Sequence, residues 1–296
     1  MSSLFCNIPA LDATISYRFR DREVADEVVG SVSNRISGIR LPPYSFSEQA
    51  SFNVVGAVEL DAEIRGPQIN VQFIGDIPSH RYEAKLATFH WDFWKVSITA
   101  LSKGLLSRGV VILHAACVGA GASAYLLPGV SGAGKSSLAF FAQSRGAPVF
   151  ASELAFIEGD RLIAGNSLMS IDPDALRVMD IPASANIELI EGKATLPTSV
   201  FDGPSQPLKL VFPRISPSSS YFERVISARR SRMLLFENAI GQLGVSQLMD
   251  EQRVPVRSLP THSEVNTIME MVDRLASESL ICEGRPSQVW ARLERG

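Results

Sequence analysis

Cysteine is scarce in this chain, and the three present, Cys6, Cys117 and Cys282, lie far apart, with no CxxC pair and no histidine at ligand spacing. Neither a zinc site nor a disulfide framework is expected, and the thiols read as free cysteines of a reducing compartment. An excess of one charge is also lacking. The 28 Lys plus Arg against 31 Asp plus Glu leave a formal charge of −3, so no global field draws in nucleic acid or an anionic membrane. No run approaches the roughly 18 apolar residues of a membrane span, and "MSSLFCNIPALDA" has no basic segment leading into a long apolar one. A cytoplasmic protein with no nucleic-acid or membrane partner is therefore expected. Internal repeats and low-complexity linkers are missing too. What is there, 46% apolar and 20% charged residues in a chain of 296, suffices for one large core or two modest ones.

From about residue 11 to 75 the chain reads as short strands, "ATISYRFR", "SFNVVGAVEL" and "INVQFIGD", parted by Gly, Pro and Asp turns, and these predict a small antiparallel sheet. Residues 82–108 place Leu86, Phe89, Phe93, Val96, Ile98, Leu101 and Leu105 at mostly helical spacing without a proline, which predicts one long amphipathic helix. His90, Trp91 and Trp94 within it read as core. A first region of residues 1–108 thus precedes a second of 109–296.

The second region opens with two apolar runs, "VVILHAACV" and "SAYLLPG", joined by "GAGA", the pattern of a hairpin. A helix, "KSSLAFFAQSRG", ends at Gly146, and "APVFASELAFIEGDRLIAG" predicts two strands about a turn at Gly159-Asp160. Residues 165–207 read as irregular. "PLKLVFPRI" predicts a strand, "RRSRMLLFENAI" and "HSEVNTIMEMVDRLASESL" read as helical, and "VPVRSL" as a possible strand between them.

Between hairpin and helix stands "LLPGVSGAGKSSLAF", with Gly129, Gly134, Lys135 and Ser136 in the spacing G-x-x-x-x-G-K-S. Glycines at 129, 132 and 134 let successive backbone N–H groups turn toward phosphate oxygens, and the helix that follows adds its positive end. The candidate nucleotide-binding residues are Gly129, Val130, Ser131, Gly132, Ala133, Gly134, Lys135, Ser136 and Ser137. Lys135 would neutralise β and γ oxygens, and the Ser136 hydroxyl would take one position on Mg²⁺. Phosphoryl transfer also needs a carboxylate near the γ-phosphate. Glu153, on the strand expected after the helix, is the first candidate for that acid and for a metal ligand, and Asp180 in "LRVMDIP" is a second, placed as a Walker-B aspartate would be. His114, inside an apolar strand entering the hairpin, and Arg214, at a strand end, complete the candidate catalytic set with Lys135.

"LHAACV", the hairpin, "LLPGVSGAGKSSLA", "RGAPVFASELAFI" and, further on, "LVFPRI" together resemble the catalytic domain of HPr kinase/phosphorylase, and more closely the smaller bacterial HPr-kinase-like proteins found beside modified-peptide and other specialised gene clusters. The resemblance is specific over 110–157 and weak to 215. It implies an α/β (α+β) fold, a P-loop kinase-like core with a mixed sheet beside the N-terminal sheet and helix, and ATP- and Mg²⁺-dependent phosphorylation of a hydroxyl on a peptide, protein or small molecule. It also implies that one acid of a pair lies near magnesium while the other takes the hydroxyl proton. Here "ASEL" stands where an "SDDL"-like run is expected, so Ser152 occupies one acid position and Glu153 the other. A basic, glycine-rich segment for docking HPr is not found, so HPr itself is not the expected acceptor. Relatives of HPr kinase are commonly oligomeric, which makes a homo-oligomer a further expectation. Two other readings stay open: a nucleotide-binding regulatory or scaffold protein that has lost catalysis, and an NTPase that couples hydrolysis to motion.

Overall fold

The computed structural model describes the backbone of residues 4–10, 13–19, 36–37, 46–47, 58–65, 68–75, 81–85 and 190. With side chains it describes 98, 102, 105, 106, 108–166, 168–181, 187–189, 193–198, 208–218, 220–243, 260–277 and 279–296. The chain divides into two compact units, one of Met1–Arg35, Ile39–Gly109 and Ile240–Thr267, the other of Ile36–Gly38, Val110–Ala239 and Ile268–Gly296.

In the first unit are strands β1 (Leu4–Ala10) and β2 (Ala13–Phe19); β3 (Ile36–Ser37) belongs to the second unit, and β4 (Phe46–Ser47), β5 (Val58–Arg65), β6 (Gln68–Gly75) and β7 (Arg81–Lys85) again to the first. Among the described residues the sheet order is β4-β1-β2-β5-β6-β7. Its neighbours are antiparallel except β2 and β5, which pair in parallel through Arg18↔Asp61 and Phe19↔Ala62. The sheet is thus mixed where an antiparallel one was expected, because β2 and β5 are joined by a long connection rather than a hairpin turn. The helix expected over 82–108 starts later than its spacing implied, since Tyr82–Lys85 lie in β7, paired with β6. His90, Trp91 and Trp94 lie outside the described residues, as do the strand expected at 254–259 and the first part of "SFNVVGAVEL".

The second unit carries β8 (Val110–Ala120), β9 (Ser123–Pro128), α1 (Lys135–Ser144), β10 (Val149–Ala151), β11 (Leu154–Glu158) and β12 (Arg161–Asn166). Then come β13 (Leu168–Ile171), α2 (Pro173–Val178), β14 (Glu188–Ile190), β15 (Lys193–Pro197), β16 (Leu208–Ile215) and β17 (Phe222–Ile226). Helices α3 (Ala228–Gln242) and α4 (His262–Leu275), strand β18 (Ser279–Gly284) and helix α5 (Pro286–Glu294) follow. The architecture is mixed α/β. The main sheet runs β17-β18-β16-β9-β8-β11-β12-β3, with β10 also on β8. β9, β16 and β18 are mutually parallel. β10 is antiparallel to β8, which is antiparallel to β9, so β10 runs parallel to β9 with β8 between them. Residues 165–207, read as irregular, contain α2 and a small sheet β13-β15-β14.

β8 is buried along nearly its whole length, as expected of a central strand covered on both faces. α1 is also buried on every side, from Leu138 to Ala142, and packs with Val118 and Leu127 of the hairpin and Val289, Trp290 and Leu293 of α5. Phe140, 2% exposed, contributes about 1.5–3 kcal/mol by this burial. The helix stops at Gly146, whose φ of 80° admits the left-handed turn in which Ala147 N–H reaches Ala142 O at 3.1 Å.

Candidate active site

β9 ends at Pro128 opposite Ala115 of β8, and the chain then curls through Gly129–Gly134 into α1. Gly134 has a φ of 83°, and a Cβ there would stand 2.2 Å from the Ile215 Cβ at the end of β16. Only glycine meets both conditions. Ile215 N–H bonds Ala133 O at 3.0 Å, so the end of β16 is tied to the loop. Gly134 is also the N-cap of α1 and brings no side chain to the first-turn amides, and no acid stands in that turn. These donors and the helix dipole face the loop. Lys135 Nζ donates to Gly129 O at 2.8 Å and to Val130 O at 2.9 Å. Its side chain closes over the loop it follows and is only 5% exposed.

Strand register brings the remaining candidates to this loop. One step beyond the Ala115↔Pro128 pair, His114 of β8 stands level with Gly129; on the other side of β8, His114 pairs with Leu154, next to Glu153. His114, Gly129 and Glu153 therefore form a row across three chain segments. Two asparagines that the sequence reading passed over hold the row where the sheet is interrupted. Because β9 peels away at Pro128, the backbone of His114 has no strand partner on that side. Asn238 of α3 takes the place: its Oδ1 accepts from His114 N–H at 2.8 Å, and its Nδ2 donates to His114 O at 3.0 Å and to Gly129 O at 3.5 Å. The second interruption is the corner between β10 and β11, where Asn166 Oδ1 accepts the amides of Ser152, Glu153 and Leu154. The signal available in sequence was a single asparagine in each of the apolar runs "RLIAGN" and "LLFENAI", since a buried carboxamide must spend its hydrogen bonds on something.

Two placements correct the expectations, those of Glu153 and Asp180. Glu153 lies in a corner between two strands rather than on one, with its side chain exposed and its carbonyl accepting from Ala115 N–H at 3.0 Å. Ser152 is turned inward, 2% exposed. Asp180 ends no strand: Leu176–Val178 close α2, Met179 caps it, and Asp180 is the exposed residue that follows, with a φ of 54° and its N–H on Arg177 O. Aspartate tolerates this left-handed helix-end conformation, which explains the residue without a metal. Arg214 is exposed near the end of β16, paired across the ladder with Glu283 and adjacent to the Ile215–Ala133 bond.

The electrostatics couple the row. Burial lowers the Lys135 pKa from 10.5 to about 8, with Glu153 pulling it back up. Burial, then the Lys135 charge, lowers that of His114 from 6.5 to about 4, with the Glu153 backbone opposing. Near neutral pH the lysine is thus largely charged and the imidazole neutral. Among the described residues no three His, Cys, Asp or Glu side chains gather to hold a metal. A cation here would take most ligands from phosphate and water, as Mg²⁺ commonly does. Amide donors, a buried lysine, the Ser136 hydroxyl and one exposed carboxylate make a donor set that fits a Mg²⁺-polyphosphate. Cys117 and Cys282 are free and buried, and burial pushes the Cys117 thiol far up, so neither is a reactive thiolate. No helix among the described residues is long and apolar enough to cross a membrane. No family model matches the chain, and no curated protein matches its sequence.

Proposed function

We propose that this chain is an ATP- and Mg²⁺-dependent kinase that phosphorylates a hydroxyl, on a peptide, protein or small molecule, with an HPr-kinase-like P-loop core. The observation that carries the reading is the row of His114, Gly129 and Glu153, set by register beside Lys135. A glycine turn of purely structural use would not need a buried lysine, a neutral imidazole and an exposed carboxylate converging on it.

ATP with Mg²⁺ would supply the electrophilic γ-phosphoryl group; the protein supplies placement and charge. The amides of Gly132 and of Gly134 to Ser136 would orient the phosphates, and Lys135 would exchange the carbonyls of Gly129 and Val130 for phosphate oxygens. Ser136 and Glu153 would hold the metal. For the acceptor proton, Glu153 is favoured over His114, because its carboxylate is exposed beside the loop while the His114 ring is partly buried. His114 then orients the acceptor as a neutral hydrogen-bonding group, and an anion beside Lys135 offsets part of the charge that depresses its pKa. Arg214 stands at the tied end of β16, placed to meet phosphate charge.

Incubation with labelled ATP, Mg²⁺ and hydroxyl-bearing peptides or metabolites should give transfer that K135A reduces by about two orders of magnitude or more. No Lys135-dependent transfer to any acceptor in a cell extract would overturn the kinase. The single carboxylate at the corner favours one second reading, a nucleotide-binding regulator without transfer. Tight ATP binding with no turnover would establish it, whereas turnover abolished by E153Q would exclude it.

A further inference from the structure

The corner between β10 and β11 breaks the ladder on β8, yet its amides are all paired. Ala151 faces Cys117 and Leu154 faces His114, and the amides of Ser152, Glu153 and Leu154 converge on Asn166 Oδ1 at 2.9, 2.9 and 3.1 Å. The Nδ2 of the same carboxamide donates to Ser152 Oγ at 2.7 Å and to Leu168 O. Ser152 Oγ donates in turn to Leu168 O at 3.2 Å. Asn166 is 4% exposed, so its carboxamide spends its hydrogen bonds on the corner and on the Leu168 carbonyl beside it. Gly165 allows this approach, since a Cβ there would stand 2.1 Å from Phe150 O. The consequence is a division of labour between adjacent residues: the Ser152 side chain is locked inward and the Glu153 side chain faces out.

We infer that Asn166 is a positioning residue that holds Glu153 at the edge of the glycine loop and makes it the only acid this corner can present. An aspartate at 152 would put a buried carboxylate against the Leu168 carbonyl, acceptor on acceptor, and would weaken the corner instead of supplying a second acid. The use made of Glu153 rests on the kinase reading; the positioning itself does not.

Amide hydrogen exchange of the full-length protein is followed by peptide mass over residues 150–156. In parallel, binding of a nonhydrolysable ATP analogue with Mg²⁺ is measured for the wild type and K135A. The amides of Ser152, Glu153 and Leu154 should exchange slowly in the wild type, about tenfold faster in N166L, and slowly again in S152A, which keeps all three on Asn166 Oδ1. Folded N166L that exchanges like the wild type overturns the inference. So does S152A that folds yet loses protection, which decides the case if N166L does not fold, and so does a wild type without protection at these amides. Binding reports on the other claim: no Lys135-dependent binding of the analogue removes the nucleotide reading and leaves the positioning of Glu153, as read by exchange, unaffected.

Discussion

At pH 7 the His114 imidazole is neutral, because burial and the neighbouring Lys135 ammonium hold its pKa at about 4 instead of 6.5. The unfolded chain therefore takes up this proton first as pH falls. The contribution to stability is intact above about 6.5 and is lost as pH falls toward 4, by about 2 kcal/mol at pH 4.5. Urea unfolding at pH 7 and 4.5 should show this loss in the wild type and not in H114Q; parallel losses in both proteins would refute the assignment. Residue types at the site were open to reading in sequence: Gly134, Lys135 and Ser136 stand in the spacing G-x-x-x-x-G-K-S, and Glu153 follows the helix in "VFASELAFI". Side-chain direction was not. Ser152 and Glu153 are neighbours, and only the carboxamide of Asn166, reaching them from the far end of β12, decides which faces in and which faces out.

At the scale of elements, the loop depends on β9 leaving β8 one residue early. That departure strips His114 of its ladder partner, and α3 returns one through Asn238. N238A should leave the His114 amide unpaired, costing about 1–3 kcal/mol, and should weaken binding of an ATP analogue about tenfold by loosening Gly129. Denaturant titration paired with calorimetry measures both; a variant unchanged in both would show the carboxamide to be incidental. The hairpin, α1 and its glycine stop, β16 and the helices α3 and α4 follow from local pattern, because apolar period and turn residues act within a few positions. The parts that escaped are those set by distant partners. Tyr82–Lys85 are strand because β6 lies beside them, and the corner at 152–153 exists because β8 and Asn166 lie on either side of it.

For the whole molecule, a ligand bound only by the folded chain stabilises it by mass action. At a hundredfold excess over its dissociation constant, Mg²⁺-ATP should add about 2.7 kcal/mol, which raises the melting temperature of a domain this size by about 5–10 °C. K135A should show little of this shift. A thermal scan with no Lys135-dependent shift would contradict nucleotide binding at this loop. The two compact units are interleaved in sequence, with residues 36–38 grouped with the later chain and 240–267 with the earlier. Linear composition does not disclose this, since no proline- or glycine-rich linker marks where the chain passes from one unit to the other.

The sequence by itself determined the glycine loop, the lysine and serine that follow it, and the hairpin and helix on either side, because each rests on backbone freedom or apolar period over neighbouring residues. Tertiary structure alone decided that His114, Gly129 and Glu153 share a row and that two asparagines seal the broken ladders. Those outcomes depend on strand register and on hydrogen bonds between residues up to 124 positions apart, and a buried backbone amide must find its partner wherever in the chain that partner lies.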